Sequence, residues 1–341
     1  MARTRGTRHD LVSERPSSRR AGAHDPVPGS RAGERAAARA GEAADSQREL
    51  RSRRTPPPGT ARRALRQPSF LGTLKALDVL STAGAHVSVR VSDLDSGDGI
   101  LVGDDHLTLP VAGLGIVPLL IEVAAQIEAR TLDPLEILER ASVDPVGVAG
   151  LWQHLKAPAL PVCDLAVLTA AASDASAANA LLARVGLDAV RARVESIGLT
   201  KTALLDRFRD VRGPDDAPQV ALASAGELAA LFAAIVNAQV VSPAVSAQVG
   251  EWLNLTQDLA LVGSATAMDP FAHEDDRHGL LFVNKTGRAD GIRAEAGVIA
   301  GPRGGLSYAL IVCFDDLSIA HRLRANEAFH TLGLDLMEYV Y

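Results

Sequence analysis

The sequence predicts a mixed α/β domain of the α+β kind. Its antiparallel sheet is built from both termini of the globular part and flanked by helices, with an all-helical lobe inserted between the two halves. Three observations carry that expectation. Alternating, strand-like runs fall only at 86–105 and in the last third, from 280 to 314. The stretch between them repeats its apolar residues with helical period. Composition also changes near residue 66, where an arginine-rich front gives way to a chain able to build a core. The expected division is a tail at 1–66 and a domain at 67–341. Its sheet lobe covers about 67–112 and 279–341, and its helical lobe about 113–278.

Residues 1–66 hold 16 arginines and 7 acidic residues, a net charge of +9, whereas 67–341 hold 19 basic and 34 acidic residues, a net of −15. The tail is short of large apolar residues and broken by "TPPPGT" at 55–60. It cannot bury enough surface to offset its ordering entropy and is expected to be disordered. It reads either as a solvated extension or as a contact for nucleic acid or an anionic membrane surface. Only Lys75, Lys156, Lys201 and Lys285 are lysines, which with the abundant alanine reads as a coding bias before it reads as function.

No apolar run is long enough to span a bilayer. The arginine pairs in "SSRRAGAHDP" and "RSRRTPPPGT" are not followed by the apolar stretch of an export signal, so a cytoplasmic location is expected. Cys163 and Cys313 lie far apart in apolar stretches and read as buried free thiols, with a disulfide left open. No metal-ligand spacing is present, and neither a metal nor a cofactor is expected.

In chain order, "FLGTLKALDVL" (70–80) has helical period, and "HVSVRVSDLDSGDGILVGDD" (86–105) reads as strand, glycine-containing turn and strand. Helical stretches follow at 114–129, 162–172, 175–184, 186–197, 224–237 and 243–254. Between 199 and 223 lies a stretch rich in Pro, Gly, Asp and Arg, long for a connection inside a compact domain and of the kind usually tied to function. "LLFVNKT", "RAEAGVIAG" and "LSYALIVCF" are three strand-like runs, and 316–336 reads as a terminal helix.

Four segments draw attention to chemistry. "NKTG" sets Lys285, Thr286 and Gly287 at what reads as the exposed end of the strand-like run Leu280 to Val283. "SDASAANALL" opens a helix with Ser173 and Asp174, both suited to cap it. "LLDRFRDVRG" lies in the long connection, and "TLPVAGLGIVPLLIEVAAQIEA" leads into the helix at 114–129. Taken together in their chain order, over about 68–341, they resemble the class A serine β-lactamase and penicillin-recognising (β-lactamase/transpeptidase-like) family. That family carries S-x-x-K at the start of a helix, S-D-N in the helical lobe and K-T-G on a strand. Class A members add an acidic residue on a long loop.

The resemblance implies how each position should serve. Lys285-Thr286-Gly287 is intact as the third motif. Ser173-Asp174 matches the second, with Ala175 where the family has asparagine; Ala177, Asn179, Leu181 and Leu182 also fit. Leu205-Asp206-Arg207 aligns the loop and places Arg209 at the catalytic glutamate, with Gly213 where an asparagine would help hold the hydrolytic water. The first motif puts Gly113 at the nucleophile and Ile116 at the lysine. A serine and a lysine three apart share one helix face, so the lysine takes the serine's proton. Glycine has no oxygen to attack with and isoleucine cannot accept a proton. No S-x-x-K occurs elsewhere in the chain.

The resemblance also implies an oxyanion hole from the backbone N–H groups of Gly113 and Arg288, with Gly113 beginning a helix whose dipole favours anions. Ser173, Lys285, Thr286, Gly287 and Arg288 then read as a remnant able to hold a small carboxylate-bearing molecule, β-lactam-like or peptide. The alternative is a set of strand residues kept by packing. Three functional readings stay open. One is a catalytically inactive binding or scaffolding module. Another is an active hydrolase, β-lactam-cleaving or esterase-like, using Ser173, Thr286 or a cleft water. A third makes the basic tail a tether to nucleic acid or membrane.

Overall fold

In the computed structural model, which describes residues 69–147, 149–270 and 279–341, the globular chain starts with helix α1 (Leu71–Thr82). The basic tail expected at 1–66 lies outside the described residues. Strand β1 (His86–Asp93) turns into β2 (Gly99–Gly103) where the Asp93 carboxylate accepts from the N–H groups of Asp95 and Ser96 at 3.0 and 2.9 Å. The two-residue strand β3 (Leu109–Pro110) and a 3₁₀ turn (Ala112–Gly115) then lead into α2 (Ile116–Glu128).

Strands β4 (Ile137–Glu139) and β5 (Ala159–Pro161) follow, then helices α3 (Val162–Ala172), α4 (Ala175–Val185) and α5 (Leu187–Ser196). The long connection carries β6 (Ala203–Leu204) and β7 (Ala221–Ala223), and then come α6 (Ala225–Val236) and α7 (Pro243–Leu253). The helix starts follow local chemistry. Ser224 caps α6 by accepting from Glu227 N–H, and Ser242 caps α7 ahead of Pro243, whose missing N–H costs nothing at a first turn.

The last third supplies β8 (Leu281–Ala289), β9 (Ile292–Gly301), β10 (Gly304–Cys313) and α8 (Ile319–Val340). The main sheet has the order β2-β1-β10-β9-β8, every neighbour antiparallel, so both ends of the globular chain build it. Asp290 and Gly291 form the two-residue turn between β8 and β9, with Gly291 at φ 67°, as a tight hairpin requires. One face of the sheet packs Val89, Leu310 and Val312 against Phe329, Leu332 and Leu336 of α8. The other face presents small residues, Ala294, Ala296 and Ala309, to a larger core that includes α2 and α6.

Several expectations meet a different outcome. The inserted segment carries helices and also two small sheets, β3-β7-β6 and β4-β5, whose two- and three-residue strands are too short to show a period. The terminal helix runs from 319 to 340 and not from 316 to 336, because Ser318 caps it by accepting from His321 N–H. Cys163 and Cys313 are free thiols, as expected, but half-buried and not buried. Among the described residues no helix is long and apolar enough to cross a membrane.

A buried carboxylate marks the sheet face turned toward α8. Glu295 of β9 is fully buried and accepts from Asn284 (2.7 Å), the Tyr308 hydroxyl (2.8 Å) and Val262 N–H (2.8 Å). Burial raises its carboxyl from the ordinary 4.5 to about 7, against the pull of those three donors. The folded chain thus holds a proton there that the unfolded chain releases. The resulting stability is fully present below about pH 4.5 and is lost as pH rises through about 7. Glu295→Gln is expected to remove that dependence, so wild-type stability should fall relative to the variant between those limits in urea denaturation series. The variant also turns an amide N–H₂ toward Val262 N–H or Asn284, a pH-independent loss of about 1–3 kcal/mol. A gap between the two proteins that stays constant across this range would refute the assignment.

Candidate functional site

The site forms where strand β8 passes the turn that precedes α2. A side chain on Gly287 would bring its Cβ to 2.0 Å from the Val111 carbonyl oxygen, so only glycine allows the two backbones to approach this closely. A Cβ on Gly113, opposite, would stand 3.1 Å from the Thr286 carbonyl oxygen, tight but within reach of a small adjustment. Between them Ala112 takes φ 46°, a left-handed conformation unfavourable for a residue with a Cβ. Gly113 lies inside a 3₁₀ turn and does not begin the helix, which starts at Ile116, two residues later than the stretch 114–129 read from the sequence.

The triplet is likewise not at an exposed end. β8 continues to Ala289, and Lys285 and Thr286 are 0% and 3% exposed. Lys285 Nζ donates to the Ala170 carbonyl at 3.0 Å and to Ser173 Oγ at 2.5 Å. Burial pushes this amine down from 10.5 to about 8, while the nearby Asp258 charge raises it.

Ser173 and Asp174 divide their work. Ser173 sits at φ 51° and closes α3, which leaves its hydroxyl to Lys285. Asp174 alone caps α4, accepting from Ala177 N–H at 2.9 Å, and also takes the N–H groups of Leu151 and Trp152 at 2.7 Å each. Ala175 follows as the first, buried residue of α4.

Opposite lies the long connection. Asn179 of α4 holds it by exchanging two hydrogen bonds with the Phe208 main chain, at 2.8 and 2.9 Å. Arg209 donates to Asp206 at 3.1 Å and to Asp216 at 2.9 Å, and Arg212 also reaches Asp206 at 2.9 Å. Position 209 thus carries a guanidinium already paired with two carboxylates.

These elements enclose a cavity of about 1000 Å³. Gly113, Ile116, Ser173, Ala175, Arg209, Thr286 and Arg288 line it, so it gathers most of the positions singled out in the sequence. Lys285 meets it through Ser173, and Gly287 is buried in the contact with Val111. At positions 113 and 116 the wall offers a bare backbone and a buried aliphatic chain.

One residue that the sequence did not flag stands at the centre of the wall. Asp258 accepts from the Thr286 hydroxyl at 2.6 Å and from both Nε and Nη2 of Arg288, at 2.8 and 2.9 Å. Burial raises its carboxyl, but Thr286 and Arg288 outweigh that and hold it below the ordinary carboxylate value. Its partners lie about thirty residues away, and no local pattern announces them. Among the described residues, no group of His, Cys, Asp and Glu could hold a metal ion.

The fold is one shared with solved β-lactamases and PBP-A. A β-lactamase from Sphaerobacter thermophilus superposes with a TM-score of 0.67 at 22% identity, over 79% of this chain and 96% of that one. PBP-A gives 0.64 at 19%, over 78% and 94%. A β-lactamase from Xanthomonas campestris pv. campestris gives 0.63 at 19%, over 80% and 99%. No curated protein matches the chain. The model of the beta-lactamase enzyme family matches residues 73–340, and the chain belongs to that family.

The Gly287 contact is open to direct test. Gly287→Ala forces a methyl group against the Val111 carbonyl and should destabilise the fold by about 1–3 kcal/mol, as overpacking does. Chemical denaturation reads the loss; unchanged stability would show that β8 and the turn are less closely apposed.

Proposed function

We propose that this chain is a catalytically inactive member of its family, acting as a binding or scaffolding module. The observation that carries the reading is the pair Gly113 and Ile116 on the cavity wall, with Arg209 locked to Asp206 and Asp216 across from them. Nucleophilic catalysis of acyl transfer needs an oxygen or sulfur nucleophile and a base to activate it. Deacylation further needs a general base for water, which typically contributes 10²–10⁴-fold. A PBP-A variant has been obtained as an acyl-enzyme complex with penicillin G. Under this proposal the same ligand would meet no nucleophile at Gly113 and would be held, if at all, without a bond.

A second reading is favoured by one contact. Ser173 Oγ lies 2.5 Å from a lysine whose amine is pushed down to about 8. Roughly a tenth of that amine is then neutral at pH 7. Neutral Lys285 would take the hydroxyl proton as Ser173 Oγ attacks an activated carbonyl, and would return it to the leaving group. Its weakness is that the same amine also donates to Ala170.

Intact-mass measurement after incubation with a reactive cephalosporin separates the two. The inactive module gains no mass that survives denaturation. A stoichiometric adduct abolished by Ser173→Ala would establish the second reading instead.

Restoring the missing side chains tests the alignment itself. Gly113→Ser with Ile116→Lys rebuilds nucleophile and base, provided the Thr286 carbonyl gives way by a few tenths of an ångström. The apolar surroundings of Ile116 would lower the new amine's pKa, which suits a base. The double variant is expected to be acylated and to stay acylated, because Arg209 still stands where water would be activated. A folded double variant without an adduct from either a reactive cephalosporin or its uncharged methyl ester would refute the placement of Gly113 and Ile116.

A further inference from the structure

The groups expected to grip a ligand's carboxylate already grip one. Thr286 has a single hydroxyl proton and spends it on Asp258 Oδ2. Arg288 presents its guanidinium edge to the same carboxylate, Nε to Oδ2 and Nη2 to Oδ1, the two-pronged geometry in which arginine binds carboxylates most strongly. Ala260 N–H adds a further contact to Oδ1 at 3.2 Å. All three side chains, Asp258, Thr286 and Arg288, line the cavity, so this ion pair is part of its wall.

The carboxylate is delivered there by an anchored segment. Two residues earlier, the fully buried Thr256 hydroxyl lies 3.1 Å from the Asn284 carbonyl of β8 and 3.5 Å from the Ala170 carbonyl of α3. Gln257 N–H donates to the Ala171 carbonyl at 3.1 Å. The stretch after α7 is thus pinned to both walls of the cleft, and Asp258 follows from that placement.

We propose that Asp258 is the cleft's own carboxylate ligand, filling the seat made by Thr286 and Arg288 and restricting the cleft to ligands that bring no carboxylate to that end. An arriving carboxylate finds the Thr286 hydroxyl proton and the Nε/Nη2 edge of Arg288 already engaged, and a negative charge in its place. An uncharged ligand meets no such repulsion and has the apolar surface of Ile116, Ala175 and Phe208 to cover. Removing the Asp258 side chain leaves Arg288 and Thr286 without their acceptor, which is the composition of an anion receptor. The proposal rests on the cleft being a binding site. Its test reads stability and reversible affinity, so its failure would leave the acylation result untouched.

The experiment is chemical rescue of Asp258→Ala. The variant should melt below the wild type, and its melting temperature should rise with acetate relative to chloride at equal ionic strength, as mass action requires of a ligand bound only to the folded state. The wild type should show no acetate-specific rise, and adding Arg288→Ala to the variant should abolish the rescue. In calorimetry, benzylpenicillin should bind the variant about tenfold or more tightly than the wild type, a factor in keeping with charge-assisted hydrogen bonds. Its methyl ester should gain nothing.

If Asp258→Ala folds only with acetate present, that is the same rescue. Asp258→Ser, which also vacates the seat, is read identically if the alanine variant cannot be obtained. The proposal is overturned if acetate recovers neither variant or stabilises them no more than wild type. It is equally overturned if the effect survives loss of Arg288, or if wild type binds benzylpenicillin as tightly as the variant.

Discussion

The ammonium group of Lys285 is wholly out of water, and much of the surrounding geometry depends on how it is satisfied. Burying a charge is costly unless it is hydrogen-bonded, and here the Ala170 carbonyl and the Ser173 hydroxyl do that work. Both acceptors sit at the end of α3, so strand β8 and that helix end are tied together by one side chain. The tie explains why Ser173 closes its helix in a left-handed conformation and leaves capping of α4 to Asp174. The Ala170 carbonyl also lies within reach of Thr256, which fixes the segment leading to Asp258. A single buried amine thereby organises two walls of the cavity.

The wall opposite keeps its shape by other means. Asp206 gathers Arg209 and Arg212, Asp216 gathers Arg209 again, and Asn179 holds Phe208 from α4. Each half-exposed ion pair contributes little alone, but several sharing one carboxylate hold a loop better than isolated pairs. Arginine at 209 is thus a structural member of the loop. Placing a glutamate there would remove a cross-link and set a negative charge beside Asp206 and Asp216.

Much of the fold was legible because it is written in local signals. Helix α3 begins after Pro161 and ends before Ser173, as its apolar run and flanking residues indicated. β9 and β10 stand out as apolar runs broken by glycine and proline. The strands of two and three residues had no room for a period. At the site, the resemblance to the β-lactamase family singled out Gly113, Ile116, Ser173, Ala175, Arg209, Thr286 and Arg288, and the fold brings them to one cavity. What the sequence could not show was burial imposed from afar. The triplet looked exposed because the segment that covers it, around Val111 and Gly113, lies some 170 residues earlier. Asp258 escaped notice for the same reason: its meaning lies wholly in Thr286 and Arg288, and nothing beside it marks it.

Gly287 bears on how such sequences are read at all. Its hydrogen atom faces the Val111 carbonyl with no space for a methyl group, a demand set by two backbones passing close together and not by any reacting molecule. Lys285, in turn, is kept by the helix end it secures. A triplet of lysine, threonine and glycine therefore has a packing reason to stand here, whether or not a reaction accompanies it. A pattern keyed to these three positions measures how closely a strand lies against a turn. Whether a bond is broken there is decided by the residues that face the strand across the cleft.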